Sequence, residues 1–343
     1  MNDVDDARRR SVLERMQRAR VFEEMLGVEF ARQRDHAKAA FGGRNSAFED
    51  YNRDFRIPIQ GNLELSIGQE VAPSALCVWL TDDDYVGGTH RSHSLAVAKG
   101  VGWKSMLAEI YGRSTGLCGG RAGDFMLNDS RVNFENSAIM AQLTAVAAGH
   151  AFFHQRKQTG GLAAVFIGDG ASNQGVVHET MNLASLWKLP LILVIEDNGY
   201  AISTPRRRGS AVEDLSVRSR AYDMPGVGVD DRDVDVLIEA FGSAVDRARA
   251  GAGPSLVVSR THRLRGAFEG DSQAYRPEGE LERETRLDAL PQYSARLVES
   301  GVVSPEWIVQ VNDRAREDFA EALAFAEASP YPDPRTAAEG LFA

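Results

Sequence analysis

The chain has 343 residues, of which 43% are hydrophobic and 26% charged, a globular composition that excludes collagen-like and wholly disordered proteins. Its 39 Lys and Arg are outnumbered by 49 Asp and Glu, and the formal net charge of −10 argues against a uniformly basic nucleic-acid-binding protein. The longest strongly apolar run, residues 189–195, is far shorter than the roughly 20 residues that cross a bilayer. We therefore expect neither a nucleic-acid partner nor a membrane span.

The N-terminus and the cysteines favour a cytoplasmic protein. The first residues, MNDVDDARRR, are acids followed by bases with no apolar core, which is unlike a secretory signal. Cys77 and Cys118 are far apart and lie in no CxxC motif. Free thiols in a reducing compartment are therefore expected.

The N-terminal part of the chain is predicted to form helix and then loop. Apolar residues between Val12 and Phe30 recur at helical spacing among Arg and Glu, which indicates one or two amphipathic helices over residues 11–41. Residues 42–61 are rich in Gly, Asn, Arg and aromatics, as in a loop or a partner-contact segment. We assign residues 1–60 to an N-terminal helical arm and loop.

Short apolar runs predict a parallel sheet in the middle of the chain. They do not alternate with polar residues, as expected for strands covered on both faces of a sheet. Helical segments separate them: one is capped by Ser172 or Asn173 and runs to about Lys188, and another spans residues 234–250. The pattern predicts a doubly wound, mostly parallel α/β domain, which we assign to residues 61–280. The three strand candidates are residues 162–167, 191–195 and 254–259.

The chain after Glu280 is predicted to form a C-terminal helical region, residues 281–343, packed on the α/β domain. Ser304-Pro305-Glu306 supplies a cap residue, a first-turn proline and a first-turn acid for its last helix. That helix is expected to end at the following prolines, which are Pro330, Pro332 and Pro334.

Polar residues follow two consecutive predicted strands. The first strand ends at Gly168-Asp169-Gly170 and the second ends just before Asn198. Strand–helix–strand crossovers are almost always right-handed. If the two strands are neighbours, Asp169 and Asn198 emerge together at the carboxyl edge of the sheet, where open α/β sheets bind ligands.

These residue types suit a metal–diphosphate ligand. Gly168 and Gly170 let the backbone approach a bulky group, and the next helix N-terminus favours a phosphate. Asp169 and Asn198 offer hard oxygen atoms, which Mg²⁺ binds together with substrate phosphates and water. The sequence therefore predicts a Mg²⁺–diphosphate site.

Two other interpretations of the motif remain open. Residues 168–173 imitate a GxGxxG dinucleotide loop with Asn at the third glycine, and Glu196 or Asp197 could hold a ribose. A single match of that kind is weak, and the acid lies later than the usual spacing of about 20 residues. Alternatively, the glycines form an ordinary turn that binds no ligand.

The GDG segment, the helix after it and Asn198, 29 residues beyond Asp169, resemble the thiamine-diphosphate/Mg²⁺ signature. The stretches GDGASNQG and NLASLWKLPLILVIEDNGYAIST resemble the α subunit of the decarboxylating component of 2-oxo-acid dehydrogenase complexes, including acetoin dehydrogenase. The likeness extends from about Gly61 to Arg276. It implies the thiamine-diphosphate-binding fold and an enzyme that decarboxylates a 2-oxo acid or cleaves an acyloin.

The resemblance also implies the cofactor site. Asp169 and Asn198 would bind Mg²⁺ together with the backbone carbonyl of Tyr200. Arg91 would clamp the diphosphate of thiamine diphosphate, as a bidentate guanidinium can. Ile139 would lie where a backbone group meets the aminopyrimidine ring. The other implied cofactor-binding residues are His90, Gly168, Gly170 and Ala171.

The resemblance further implies a multi-subunit enzyme. The cofactor would lie between α and β chains in a heterotetramer of two of each, and the β chain would supply the glutamate that activates the aminopyrimidine. Lipoamide, carried by a lipoyl-bearing acyltransferase, would be the default acceptor of the carbon unit.

The sequence departs from the family at two positions where family members have histidine, here Glu64 and Ala267. Histidine titrates near pH 6.5 and an unperturbed glutamate near 4.3, so the exchange alters proton transfer unless burial raises the pKa of Glu64. Ala267 transfers no proton. Glu64, His93 and Arg265 are the predicted catalytic residues, although His93 could equally be structural.

Three interpretations of these departures are open. The chain could serve an ordinary dehydrogenase that tolerates both changes. It could belong to a repurposed acyl or ketol transferase in a biosynthetic pathway. It could also be a non-catalytic assembly subunit, but assembly alone does not require Asp169, Asn198 and Arg91.

Overall fold

The computed structural model describes residues 4–41, 59 and 61–339, the side chains of residues 36–41 excepted. No helix in these ranges is long and apolar enough to cross a bilayer. The predicted loop at 42–61 lies outside them, apart from Ile59 and Gly61. The described helices are α1 Asp6–Phe41, α2 Val71–Cys77, α3 His93–Lys99, α4 Trp103–Ile110, α5 Gln142–Lys157, α6 Gly175–Leu186, α7 Arg206–Gly209, α8 Val234–Arg249, α9 Glu280–Arg286, α10 Ala289–Glu299 and α11 Pro305–Ala328. The described strands are β1 Tyr85–Gly88, β2 Asn128–Asp129, β3 Phe134–Asn136, β4 Ala163–Gly168, β5 Leu191–Asp197, β6 Tyr200–Ala201, β7 Thr204–Pro205, β8 Gly226–Asp230 and β9 Ser255–Arg260.

Seven of these strands form one sheet in the order β2-β3-β1-β4-β5-β9-β8. Every neighbouring pair is parallel except β2 with β3 at one edge. Strands β4 and β5 are adjacent, with Ile167 opposite Ile195, so their carboxyl ends lie side by side. Strands β6 and β7 form a separate antiparallel hairpin directly after β5. The three predicted strands and the mostly parallel sheet are confirmed.

Helices cover both faces of the sheet. Along β4, Ala164 and Phe166 join a hydrophobic cluster with α1–α4, α8, α10 and α11. The intervening Val165 and Ile167 join a second cluster with α5, α6 and the 3₁₀ segment 215–222. Successive side chains of a strand point to opposite faces, so a non-alternating apolar run fills both clusters at once. The doubly wound α/β architecture is confirmed.

The N-terminal residues form one long helix, α1, in the layer that also contains the C-terminal helices. Arg20 of α1 is largely buried and donates to Asp288 Oδ2 at 2.8 Å and to Glu70 Oε2 at 3.1 Å. Glu70 precedes α2 and Asp288 precedes α10, so this ion-pair network joins three parts of the layer. Buried carboxylates depend on such a partner, which makes Arg20 important for stability.

Helix ends were predicted with mixed success. Ser304 caps α11 as expected, since its hydroxyl accepts from the Trp307 N–H at 3.2 Å, and α11 ends at Ala328 before the prolines. The cap predicted at Ser172 or Asn173 is wrong, because both lie in a 3₁₀ turn and α6 begins at Gly175. The Ser172 hydroxyl donates instead to the carbonyl of Asp169 at 2.5 Å. The two cysteines, Cys77 and Cys118, are free.

Candidate active site

A cavity of roughly 630 Å³ opens at the carboxyl edge of β4 and β5. Its wall combines the ends of these strands, the β6 hairpin, the segment before α3 and parts of residues 62–69 and 263–268. Most of the predicted site residues meet there: Glu64, His90, Arg91, Gly168, Asp169, Gly170, Ala171, Asn198 and Tyr200.

The two predicted oxygen ligands lie at adjacent strand ends. Asp169 is 2% exposed, and no residue in the described ranges forms a hydrogen bond with its Oδ2 atom. Burial and the neighbouring Asp197 raise the pKa of Asp169 to about 6. Asn198 is fixed in place, since its amide donates to Gln69 Oε1 at 2.9 Å and its Oδ1 accepts from the Tyr200 N–H at 3.1 Å. A cation would supply the missing partner of the carboxylate oxygen.

Gly168 and Gly170, on either side of Asp169, lack a side chain for different reasons. A Cβ atom on Gly170 would overlap the Cβ of Ala201 in β6, so packing of the hairpin excludes a side chain there. A Cβ on Gly168 would have nothing within 4 Å, although Gly168 lines the cavity. The plain-turn interpretation accounts for Gly170 but not for Gly168, whose missing side chain leaves room for a ligand.

His90 and Arg91 line the cavity on the side of α3, just before that helix begins. The two terminal nitrogens of the buried Arg91 donate to the carbonyls of Leu65 at 2.7 Å and Ala267 at 2.5 Å. Burial and the nearby Arg263 lower the pKa of Arg91 to about 10, so it remains a cation near neutral pH. Burial and the same arginines lower the pKa of His90 to about 4, so its imidazole is neutral.

The two departures from the family histidines, Glu64 and Ala267, both line the cavity. Burial and the carboxylate of Asp124 raise the pKa of Glu64, while Arg91 and His93 lower it, and the net value is about 7. The buried carboxyl group of Glu64 therefore titrates in the range of an ordinary histidine. Ala267 contributes only a methyl group.

Three predicted residues lie off the cavity wall. His93 is fully buried behind it, with Nδ1 3.4 Å from Glu23 Oε2. Burial lowers the pKa of His93, but the surrounding carboxylates, led by Glu23, raise it above its ordinary value. Arg265 is exposed, and the Ile139 side chain is 63% exposed. The neighbours of Ile139, Ala138 and Met140, do line the cavity.

Sequence reasoning did not assign several lining residues to the metal–diphosphate site, and two of them, Arg263 and Glu196, are charged. Arg263 is buried and donates to the carbonyl of Ile202 at 3.0 Å and to the Tyr275 hydroxyl at 2.6 Å. Glu196 has its pKa raised to about 8 by burial and hydrogen-bonds with Gln69. An acid at the end of an apolar strand was the available signal for Glu196, whereas the irregular segment around Arg263 gave none.

Comparisons with known proteins show the family to which the chain belongs. A family model described as the dehydrogenase E1 component matches residues 47–335. The α subunit of acetoin:2,6-dichlorophenolindophenol oxidoreductase from Bacillus subtilis is 37% identical over 80% of this chain and 82% of its own. Its counterpart from Cupriavidus necator is 35% identical over 94% and 91%. The α subunit of the pyruvate dehydrogenase E1 component from Rhizobium meliloti is 32% identical over 80% of each chain.

Proposed function

Because the chain belongs to the dehydrogenase E1 component family, we propose that it is the α subunit of a thiamine-diphosphate- and Mg²⁺-dependent enzyme of the cytoplasm. The enzyme decarboxylates a 2-oxo acid or cleaves an acyloin and passes the carbon unit to an acceptor, lipoamide by default. The observation that carries the proposal is the buried Oδ2 atom of Asp169, which has no hydrogen-bond partner among the described residues although Asp169 lines the cavity together with Asn198.

The residues present fit the metal and the diphosphate. Asp169 and Asn198 would hold Mg²⁺ through side-chain oxygens, with the carbonyl of Tyr200 as a further ligand, and this oxygen set is the one Mg²⁺ prefers. A bound cation would also keep Asp169 ionised, since its pKa of about 6 reflects burial without a cation. Gly168 leaves space at the strand end for the diphosphate. Arg91 would supply compensating positive charge.

When bound, thiamine diphosphate supplies the nucleophilic carbon and the electron sink that decarboxylation or acyloin cleavage needs. The chain's own residues bind, orient and handle protons. Arg91 also braces the two wall segments that contain Leu65 and Ala267. His90 is neutral, so it adds no positive charge to that of the neighbouring Arg91 and Arg263.

A β subunit would complete the site. We define the α5–α6 face as a set of exposed apolar side chains: Ile139, Met140, Val146, Phe152, Phe153, Leu183, Leu186 and Trp187. The rings of Phe152 and Trp187 lie 5.8 Å apart and join the two helices, and Met140 also lines the cavity. A concentration of exposed apolar side chains on neighbouring helices is typical of an interaction site. The similar proteins are named as α subunits, which supports a β partner. We place this partner on the α5–α6 face, in a heterotetramer of two α and two β chains that delivers the carbon unit to a lipoyl-bearing acyltransferase.

Reconstitution tests the proposal. The purified complex of this chain with its β subunit should oxidise pyruvate or acetoin with an artificial electron acceptor. Chelation of the metal and removal of thiamine diphosphate should abolish turnover, and adding both back should restore it. Acylation of lipoamide would support the dehydrogenase over the biosynthetic transferase. A complex that binds the cofactor but acts on no 2-oxo acid or acyloin would contradict the proposal and favour an assembly subunit.

A further inference from the structure

Glu64 lines the cavity with a side chain that is largely buried. Its side chain is 8% exposed, and Oε2 forms no hydrogen bond with any part of the chain that the structure describes. A buried polar atom of this kind costs free energy unless a ligand or water supplies the missing partner. The carboxyl group is therefore positioned to meet a molecule that enters the cavity.

The charged groups around Glu64 allow its carboxyl group to gain and lose a proton near neutral pH. Asp124 faces it from the loop before β2, His93 from the start of α3, and Arg91 from the segment before α3. The terminal nitrogens of Arg91 donate to backbone carbonyls, and His93 lies 3.4 Å from Glu23 of α1. Within the described ranges, no hydrogen bond therefore stabilises the charged form of Oε2. Its pKa of about 7 lets both protonation states exist at neutral pH.

Other groups in the wall are less suited to this role. His90 is neutral, and its pKa of about 4 makes it a weak base. Glu196 is hydrogen-bonded with Gln69. Ala267 has no polar side-chain atom, and Arg265 is exposed and does not line the cavity. Glu64 is therefore the group best placed to accept a proton from a neutral substrate.

Resting on the function proposed above, we propose that Glu64 is a catalytic residue that takes the proton of a substrate hydroxyl group, and that a neutral hydroxyketone is preferred to a 2-oxo acid anion. In this step the O–H bond of the substrate breaks, its electron pair stays on the substrate oxygen, and the proton forms an O–H bond with Glu64 Oε2. A hydroxyketone carries such a proton beside its carbonyl. A 2-oxo acid lacks it and brings a carboxylate that ionised Glu64 repels.

This role of Glu64 predicts how turnover of each substrate changes with pH. Below the pKa of Glu64 the carboxyl group is protonated, cannot accept a proton and does not repel an anion. Above that pKa it is a base and carries negative charge. Turnover of a hydroxyketone should therefore rise as pH increases through about 7, while use of a 2-oxo acid should decline over the same range.

The test compares the wild-type αβ complex with Glu64→Gln, both loaded with thiamine diphosphate and Mg²⁺. Acetoin serves as the neutral probe and pyruvate as the anionic probe, with an artificial electron acceptor. Glu299→Gln, at the exposed end of α10, is the matched control. Glu64→Gln should lower kcat/KM for acetoin by about 100-fold above pH 7 and remove its pH step, with a smaller effect on pyruvate. Infrared difference spectroscopy without substrate should show a carboxyl group that titrates near pH 7 in the wild type and disappears in Glu64→Gln.

The outcomes separate the two proposals. Acetoin turnover by Glu64→Gln within about threefold of wild type, or a near-neutral carboxyl titration that is unchanged in Glu64→Gln, overturns the role of Glu64 and leaves the proposed function intact. A cofactor-loaded wild-type complex inert toward both probes contradicts the proposed function itself. Should Glu64→Gln fail to assemble, Glu64→His supplies another base and should turn over acetoin with a pH step near about 6.5. Turnover of acetoin by Glu64→His without such a step also overturns the proposal.

Discussion

Alanine substitutions at Gly170 and Gly168, the two glycines beside Asp169, should have different effects. Gly170→Ala should destabilise the fold, whereas Gly168→Ala should weaken cofactor binding. In Gly170→Ala the new methyl would lie far closer to the Cβ of Ala201 than the roughly 3.5–4.0 Å of a favourable carbon contact. The β6 hairpin, which contains Tyr200 and Ala201, would have to shift. In Gly168→Ala the methyl would meet no protein atom within 4 Å and would extend into the space we assign to the diphosphate.

The two substitutions should change the free energy of unfolding in opposite directions. Overpacking of this kind costs about 1–3 kcal/mol, so Gly170→Ala should lower the free energy of unfolding by that amount. Gly168 does not occupy the left-handed region, so alanine there removes unfolded-state entropy and should stabilise by up to about 1 kcal/mol. Gly168→Ala should nonetheless weaken binding of thiamine diphosphate at least tenfold, which corresponds to about 1.4 kcal/mol.

Urea unfolding of the cofactor-free αβ complex and calorimetric titration with thiamine diphosphate in the presence of Mg²⁺ separate the two effects. Each glycine variant serves as the control for the other. Undiminished cofactor affinity in Gly168→Ala would refute the placement of the diphosphate at this strand end. Native stability in Gly170→Ala would show that the contact with Ala201 does not constrain the hairpin.

Three further predictions concern the fold, the pH dependence and the partner. Arg20→Ala should cost about 3–5 kcal/mol in denaturant unfolding because buried carboxylates lose their cation, whereas Arg335→Ala, on an exposed turn, should change stability by less than about 0.5 kcal/mol. Burial raises the pKa of Asp124 to about 6, so the folded state keeps a proton that the unfolded state releases, and stability falls as pH rises through 6. Asp124→Asn should therefore raise the Tm more near about pH 8 than near about pH 5, and an equal change at both values would contradict this sign. Trp187→Glu on the α5–α6 face should weaken co-purification with the β subunit by about tenfold or more, while Val309→Glu, exposed on α11, should leave it unchanged.

The carboxyl-edge site was predictable because it depends on strand identity and order. The run up to Ile167 and the run up to Ile195 are apolar throughout, which marks buried parallel strands. Once they are neighbours, Asp169 and Asn198 must emerge at the same edge. Local pattern was sufficient here because the metal-site residues directly follow the strands that position them.

Segments without a repeating pattern were not predictable in the same way. The choice between Arg263 and Arg265 depends on contacts with Ile202 and Tyr275, which no local spacing shows. The cap predicted at Ser172 was likewise overridden by tertiary contacts, since Arg218 donates to its hydroxyl at 2.8 Å. Long-range partners decide the orientation of such side chains.

The chemical character of Glu64 also needed the structure. The sequence shows a carboxyl group where family members have imidazole, and its ordinary pKa would leave it ionised at neutral pH. Burial beside Asp124 changes that conclusion. The division into residues 1–60, 61–280 and 281–343 stays a prediction, although α1 and the C-terminal helices α10 and α11 share one hydrophobic cluster with the sheet.

Calorimetric titration of thiamine diphosphate into the αβ complex, with and without Mg²⁺, tests the metal site most directly. The wild type and Asp313→Ala, an exposed change on α11, should both show tight binding that depends on the metal. Asp169→Ala should lose that metal dependence and most of the affinity, because the buried carboxylate that we assign to the cation is gone. Equal, metal-dependent affinity in Asp169→Ala and the wild type would contradict the account.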